Sequence, residues 1–220
     1  PPGNFTAADM RKDWMQYWAP EEVAKGRAEA WTQLAAEAGC QRQPQKKWKP
    51  PSIQAFGKAV RATRGAPGLD GWEQEELVAL LNFAPWVMKE LYDLLVATTA
   101  EAKHRLPKEL QQTLYAWRVV GIPKRDSDDS RPIAIGAIIA RAWHKALLPQ
   151  LPEMPPGQWC GRKGSGVVTA TADWLAAEGD EGAELDLAKA FDYVDPDVAA
   201  AALAYFGTPA EVVALLYTGW

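Results

Sequence analysis

Cysteine, histidine and long apolar runs are all scarce in this chain, and each shortage removes a class of protein. The two cysteines, Cys40 and Cys160, are far apart and neither sits in a CxxC or CxxH spacing. That excludes a disulfide framework and a cysteine-based zinc site, and leaves buried free thiols as the expectation. No apolar stretch approaches the roughly 20 residues that a bilayer-spanning helix needs. The first residues, PPGNFTAADMRKDW, lack the apolar core of a signal peptide, so a soluble intracellular chain with no membrane partner is expected. No internal repeat occurs. Pro1 stands where Met would begin a gene product and Trp220 follows soon after a helix start, so both ends read as cuts in a longer protein.

What is present is enough for a core: 220 residues, 48% of them hydrophobic. The net charge of −4 argues, as an average, against a nucleic-acid partner, but the charge is unevenly spread. From Gln41 to Leu69 there are seven basic residues, Lys58, Arg61 and Arg64 among them, and no acid; such a stretch can line a phosphate backbone. From Asp173 to Asp197 there are nine acids against Lys189 alone, a stretch able to hold a cation. The ordinary alternative for both runs is a solvated face.

Local signals divide the chain into 1–50, a helical extension and basic linker; 51–178, a mostly helical region with one hairpin; and 179–220, a strand followed by helices. Pro20, acids in the first turn and Gly39 bound a helix over 20–38. QRQPQKKWKPP, residues 41–51, suits an extended arm. Helices are expected over about 53–64, 72–81 and 85–104, with Asp70 as a cap between the first two. LYAWRVVGIPK and RPIAI, separated by a polar loop, read as a hairpin, with a helix over about 137–148 after it. Further helices are expected over about 167–177, after Asp195-Pro196, and after Thr208-Pro209 with Glu211 completing a capping box. The fold class is therefore α/β in the α+β sense.

The sharpest chemical feature is AELDLAKAFDYVD, residues 183–195, where Asp186 lies between Leu185 and Leu187 in an apolar strand. A carboxylate beside a buried strand costs several kcal/mol unless it is paired or ligates a metal. The surrounding acids favour a cation; a cap on the following turn is the plainer alternative. Two cations, Lys124 and Arg131, flank the hairpin loop and can converge on one polyphosphate, or can form a salt-bridged tip with Asp126, Asp128 and Asp129. Glycine turns beside Arg162 and Lys163 let amides and cations approach a phosphate backbone. His104 and His144 are isolated and expected to be structural.

Four segments together resemble reverse transcriptases, particularly those of non-long-terminal-repeat retroelements and group II introns. LDLAKAFDYVD resembles the family's first palm motif, VVGIPKRDSDDSRPIAIGAIIAR its fingers hairpin, APGLDGW its Pro-Gly-x-Asp-Gly signature, and QWCGRKGSGVVTATADWL the segment before the palm, with Trp159-Cys160-Gly161 departing from the usual Gly-Phe. They occur in the family's order and spacing over about residues 53 to 206; the first 50 residues carry no such likeness. The resemblance implies a truncated right-hand polymerase fold, with 51–178 as fingers and 179–220 as partial palm. It implies that Asp186 is the catalytic ligand of two magnesium ions, with manganese as a substitute. Lys124 and Arg131 would then grip the incoming dNTP, with Ala190 beside it and Phe191 as the gate against a ribose 2′-hydroxyl. Lys58, Arg61, Arg64, Arg162 and Lys163 would meet nucleic acid. RNA template, DNA primer and dNTP are the implied partners, along with the remainder of the polyprotein, and the nucleus is the implied location.

The later palm motif, with its Asp pair, does not occur: Asp128-Asp129 is the only such pair and lies upstream of Asp186. This chain alone is therefore expected to be inactive. A non-catalytic nucleic-acid-binding remnant, an RNA-dependent RNA polymerase, in which Asp186 and Asp192 would share the motif, and a helical protein-interaction domain are the alternatives. Phe191 argues against the second of these.

Overall fold

A computed structural model describes residues 26–104, 106–123, 130–152 and 195–218. Among them are eight α-helices and one two-stranded antiparallel sheet, an α+β arrangement in which helices supply nearly all of the core.

Helix α1 (Arg27–Glu37) begins behind Gly26, which stands at φ +93°. This matches the second part of the helix expected over 20–38; residues 20–25 lie outside the described residues. At the other end Gly39 adopts φ +75°, and the Cys40 and Gly39 amides donate to the Ala35 and Ala36 carbonyls at 2.9 and 3.0 Å, the paired closure that a left-handed residue permits. This turn leaves Cys40 exposed, correcting the buried thiol expected there.

Residues 40–52 belong to neither helix nor strand. The arm is nonetheless fastened: the Gln43 and Lys46 amides donate to the Tyr205 and Gly207 carbonyls, both at 2.9 Å. Farther on, Gln150 Nε2 donates to the Lys49 carbonyl at 2.9 Å, and its Oε1 accepts from the Lys49 amide at 3.4 Å.

Helix α2 (Ile53–Ala62) starts at Ser52, whose Oγ accepts from the Ala55 amide at 3.1 Å. Its apolar residues recur at helical spacing, so Phe56, Ala59 and Val60 fall on one buried face. Helix α3 (Gln74–Phe83) is capped by Glu73 and Glu76 reciprocally. The expected cap, Asp70, lies too far back in the chain. Helix α4 (Pro85–Glu101) opens with proline at its first position, where no amide is needed, and runs into a three-residue 3-10 turn at Ala102–His104. Helix α5 (Lys108–Leu114) was not foreseen: seven residues with one buried side chain give little periodicity to read.

Strands β1 (Trp117–Pro123) and β2 (Ser130–Gly136) pair with Trp117 opposite Gly136 and Ile122 opposite Arg131, the hairpin expected from the β-branched run. Helix α6 (Ile138–Leu147) follows at once and is the most buried element: Ile138, Ala142 and Trp143 have no exposed surface. It packs on α2. Phe56, Tyr92 and Trp143 form a triangle of rings 5.7 to 6.2 Å apart, and Trp143 Nε1 donates to Thr99 Oγ1 at 2.9 Å. The central aromatic of the core thus has its one polar atom satisfied from α4.

Helix α7 (Pro196–Tyr205) is capped as expected, with Asp195 accepting from the Asp197 and Val198 amides. Helix α8 (Ala210–Thr218) is not closed by the expected box. Thr208 Oγ1 has no hydrogen-bond partner among the described residues, and Glu211 turns instead to Lys103 at 2.7 Å. Helices α1 and α7 pack together through Trp31, whose ring meets Tyr205 and Phe206 edge-on. No helix among the described residues is long and apolar enough to cross a membrane.

Candidate nucleic-acid interface

Two acid-free stretches of sequence pack against each other through α2 and α6. One is 41–69, with the seven cations noted above; the other is 130–152, which carries Arg131, Arg141 and Lys145 and no Asp or Glu. On a chain of net charge −4 this packing brings Arg64, Arg141 and Lys145 together on the side where α2 meets α6.

The C-terminal end of α2 is the best-organised part of that side. Its last carbonyls have no partners within the helix and carry the negative end of the helix dipole. Cations and one amide collect them. Lys145 Nζ donates to the Ala62 carbonyl at 2.8 Å, Arg64 Nη1 to the Arg61 carbonyl at 2.6 Å, and Gln74 Nε2 to the same Arg61 oxygen at 2.9 Å.

Beyond the helix, Arg141 reaches across from α6 to the Arg64 and Ala66 carbonyls at 3.0 and 2.6 Å. This fastens the loop that carries Pro67, Gly68, Asp70 and Gly71. Gly68 sits directly against the junction of β2 and α6: a Cβ there would lie 2.6 Å from the Ala137 nitrogen and 2.8 Å from the Gly136 carbonyl carbon. Only glycine allows that approach. The Asp-Gly loop and the foot of the hairpin, distant in sequence, are therefore one piece of structure.

Asp70 faces inward in that loop. Burial pushes its carboxyl up from the usual range. The backbone amides of Asp70, Trp72 and Gly68 and the Arg141 charge pull the other way without overcoming it. Neither carboxyl oxygen makes a well-formed hydrogen bond among the described residues; the nearby amides act on it through their dipoles.

Of the expected nucleic-acid contacts, Lys58 is exposed on α2. Arg61 is engaged locally, Nη2 donating to Asn82 Oδ1 on α3 at 3.0 Å, and Arg64 folds back onto α2. Arg131 lies on β2, its backbone paired with Ile122. Lys124, Arg162, Lys163, Asp186, Ala190 and Phe191 fall outside the described residues, and so does the strand expected to carry the metal ligand. Among the described residues there is no cluster of three or more His, Cys, Asp or Glu side chains arranged to hold a metal ion.

His144 is structural, as expected. Its ring stacks on Tyr115 at 6.0 Å with 12° between planes, and burial lowers its pKa to about 4.

Sequence reasoning did not single out Arg141 and Lys145, although both belong to an amphipathic helix without acids. It counted the arm lysines Lys46, Lys47 and Lys49 in a basic run that could touch RNA or simply link domains, without singling them out as a site. They line a groove of about 590 Å³ with Ala55, Ala146 and Pro209 on its apolar side. The acid-free run that contains them was the available signal.

Compared with known protein families, curated proteins and solved structures, the chain matches none.

Proposed function

We propose that this chain is the fingers and the beginning of the palm of an RNA-directed DNA polymerase of the retroelement type, without polymerase activity by itself. The observation that carries the reading is the ordered set of four sequence segments ending in LDLAKAFDYVD. A physical relationship adds to it. The APGLDGW loop and the base of the hairpin, two of those four segments, are in direct contact at Gly68 and Ala137, as parts of one functional unit would be.

On this reading Asp186 is a metal ligand and catalytic residue, Lys124 and Arg131 bind the triphosphate, and Ala190 and Phe191 line the sugar pocket. Bound magnesium would supply activation of the primer hydroxyl and neutralisation of the leaving pyrophosphate. The chain's own part is to position template and nucleotide. The partners are RNA, a DNA primer, dNTP and the rest of the polyprotein, and the site of action is the nucleus.

The test is primer extension on an RNA template by the product of the complete reading frame, with Asp186→Ala beside it. Extension with dNTP that the substitution abolishes is the expected result. A complete product that binds RNA and extends no primer would instead favour a nucleic-acid-binding remnant.

A further inference from the structure

We infer that the groove lined by Lys46, Lys47 and Lys49 is a binding site for the sugar-phosphate backbone of single-stranded nucleic acid. Its lysines precede residue 53, where the resemblance to polymerases begins, so the site stands whether or not the protein polymerises.

Three observations carry it. First, the cations are unspent: among the described residues none of the three lysines has an ion-pair partner, although Lys89 and Lys103 elsewhere do. Second, the backbone that bears them is held in advance. The arm is fastened at Gln43 and Lys46 to the turn after α7, and at Lys49 to Gln150. The lysines are thus displayed from a fixed ledge, which lowers the ordering cost of binding. Third, none of the described residues that line the groove is an acid. Ala55 of α2 and Ala146 of α6 line the groove, both helices lack Asp and Glu, and Lys58 lies one turn beyond Ala55 on α2.

The shape and charge select the ligand. Lysines are point charges that suit phosphate without reading sequence, and the alanine and proline side of the groove offers apolar contact to sugars. A flat anionic membrane would confront the rest of an acidic molecule, whereas a narrow polyanion can follow the groove alone.

The test is fluorescence anisotropy of a labelled single-stranded RNA of about 15 nucleotides, titrated with the whole chain across about 50 to 200 mM salt. Replacing all three residues (K46Q, K47Q and K49Q) should weaken binding about tenfold or more and lower the log-log salt slope by about 2, since each single-strand phosphate contact contributes about 0.7. Lys108→Gln, an exposed lysine on α5, should bind as wild type, and the thermal melts of the lysine variants should coincide with that of the wild type. Gly207→Ala keeps every lysine while disturbing the ledge, and should weaken binding by a smaller factor.

Four results would each overturn the site: no RNA binding by the wild-type chain, an unchanged slope in the triple variant, an equal loss in Lys108→Gln, or lysine-dependent binding to phosphatidylserine vesicles without RNA binding. Failed primer extension with intact, lysine-dependent RNA binding would count against the polymerase reading alone.

Discussion

Gly207 stands at φ +86° with its Cα so close to the arm that a Cβ would lie 2.8 Å from the Pro44 carbonyl oxygen. The two residues are joined by packing that no side chain larger than hydrogen permits, and the Lys46 amide donates to the Gly207 carbonyl beside it. Gly207→Ala therefore meets both an unfavourable backbone conformation and a backbone clash. We expect a loss of about 2 kcal/mol in denaturant unfolding, and faster tryptic cleavage after Lys46 and Lys47 under native conditions. Unchanged cleavage would mean that the arm is held by something other than this contact.

The buried Trp143 indole depends on Thr99. Thr99→Val keeps the shape but leaves Trp143 Nε1, in a fully buried ring, without its acceptor. A cost of about 1–3 kcal/mol is expected. Trp143→Ala, which empties the centre of the aromatic triangle, should cost about 3–5 kcal/mol. Chemical denaturation of both variants checks the order.

Gly68→Ala should separate the Asp-Gly loop from the hairpin. The new methyl would meet the Ala137 backbone rather than a side chain that can swing away, so we expect a destabilisation of about 1–3 kcal/mol. Amide exchange should rise at Gly136 and Ala137. Arg141→Lys, which loses the forked reach to two carbonyls, should loosen the same loop with a smaller effect on the melt.

Acid should destabilise the fold through His144. Its pKa is about 4 in the folded chain, against an ordinary value of 6.5, because the ring is buried. The unfolded chain therefore binds the proton more readily. Stability from this group is complete above pH 6.5, declines as pH falls toward 4, and is fully lost below that. One pKa unit corresponds to about 1.4 kcal/mol, so the total is on the order of 3 kcal/mol. His144→Gln should flatten the stability profile across that window, whatever it does to stability at neutral pH.

How much of this was legible in the sequence depended on the range of the forces involved. Helices α2 and α6 could be read because their apolar residues repeat every three or four positions, and α7 because Asp195-Pro196 caps it locally. The hairpin showed in its β-branched run. The docking of the arm could not be read, since Gly207 and Gln150 act across long stretches of chain and neither carries a local signature of that role. Asp70 and Thr208 misled for a related reason. Each is of a type that caps helices, but the turn geometry around Gly71 delays α3 to Gln74, and Glu211 is drawn away by Lys103. For the candidate site, the basic run was visible as composition. Its partner stretch 130–152 emerged only when α6 was found packed on α2. The metal and nucleotide roles proposed for Asp186, Ala190, Phe191 and Lys124 rest on resemblance.

The most direct measurement of the central claim is nucleotide choice during RNA-templated primer extension by the product of the complete reading frame, comparing dNTP with NTP in wild type and Phe191→Val. The account predicts extension with dNTP and strong discrimination against NTP in the wild type, and relaxed discrimination with retained dNTP extension in the variant. Equal use of both nucleotides by the wild type, or discrimination unmoved by the substitution, would contradict it.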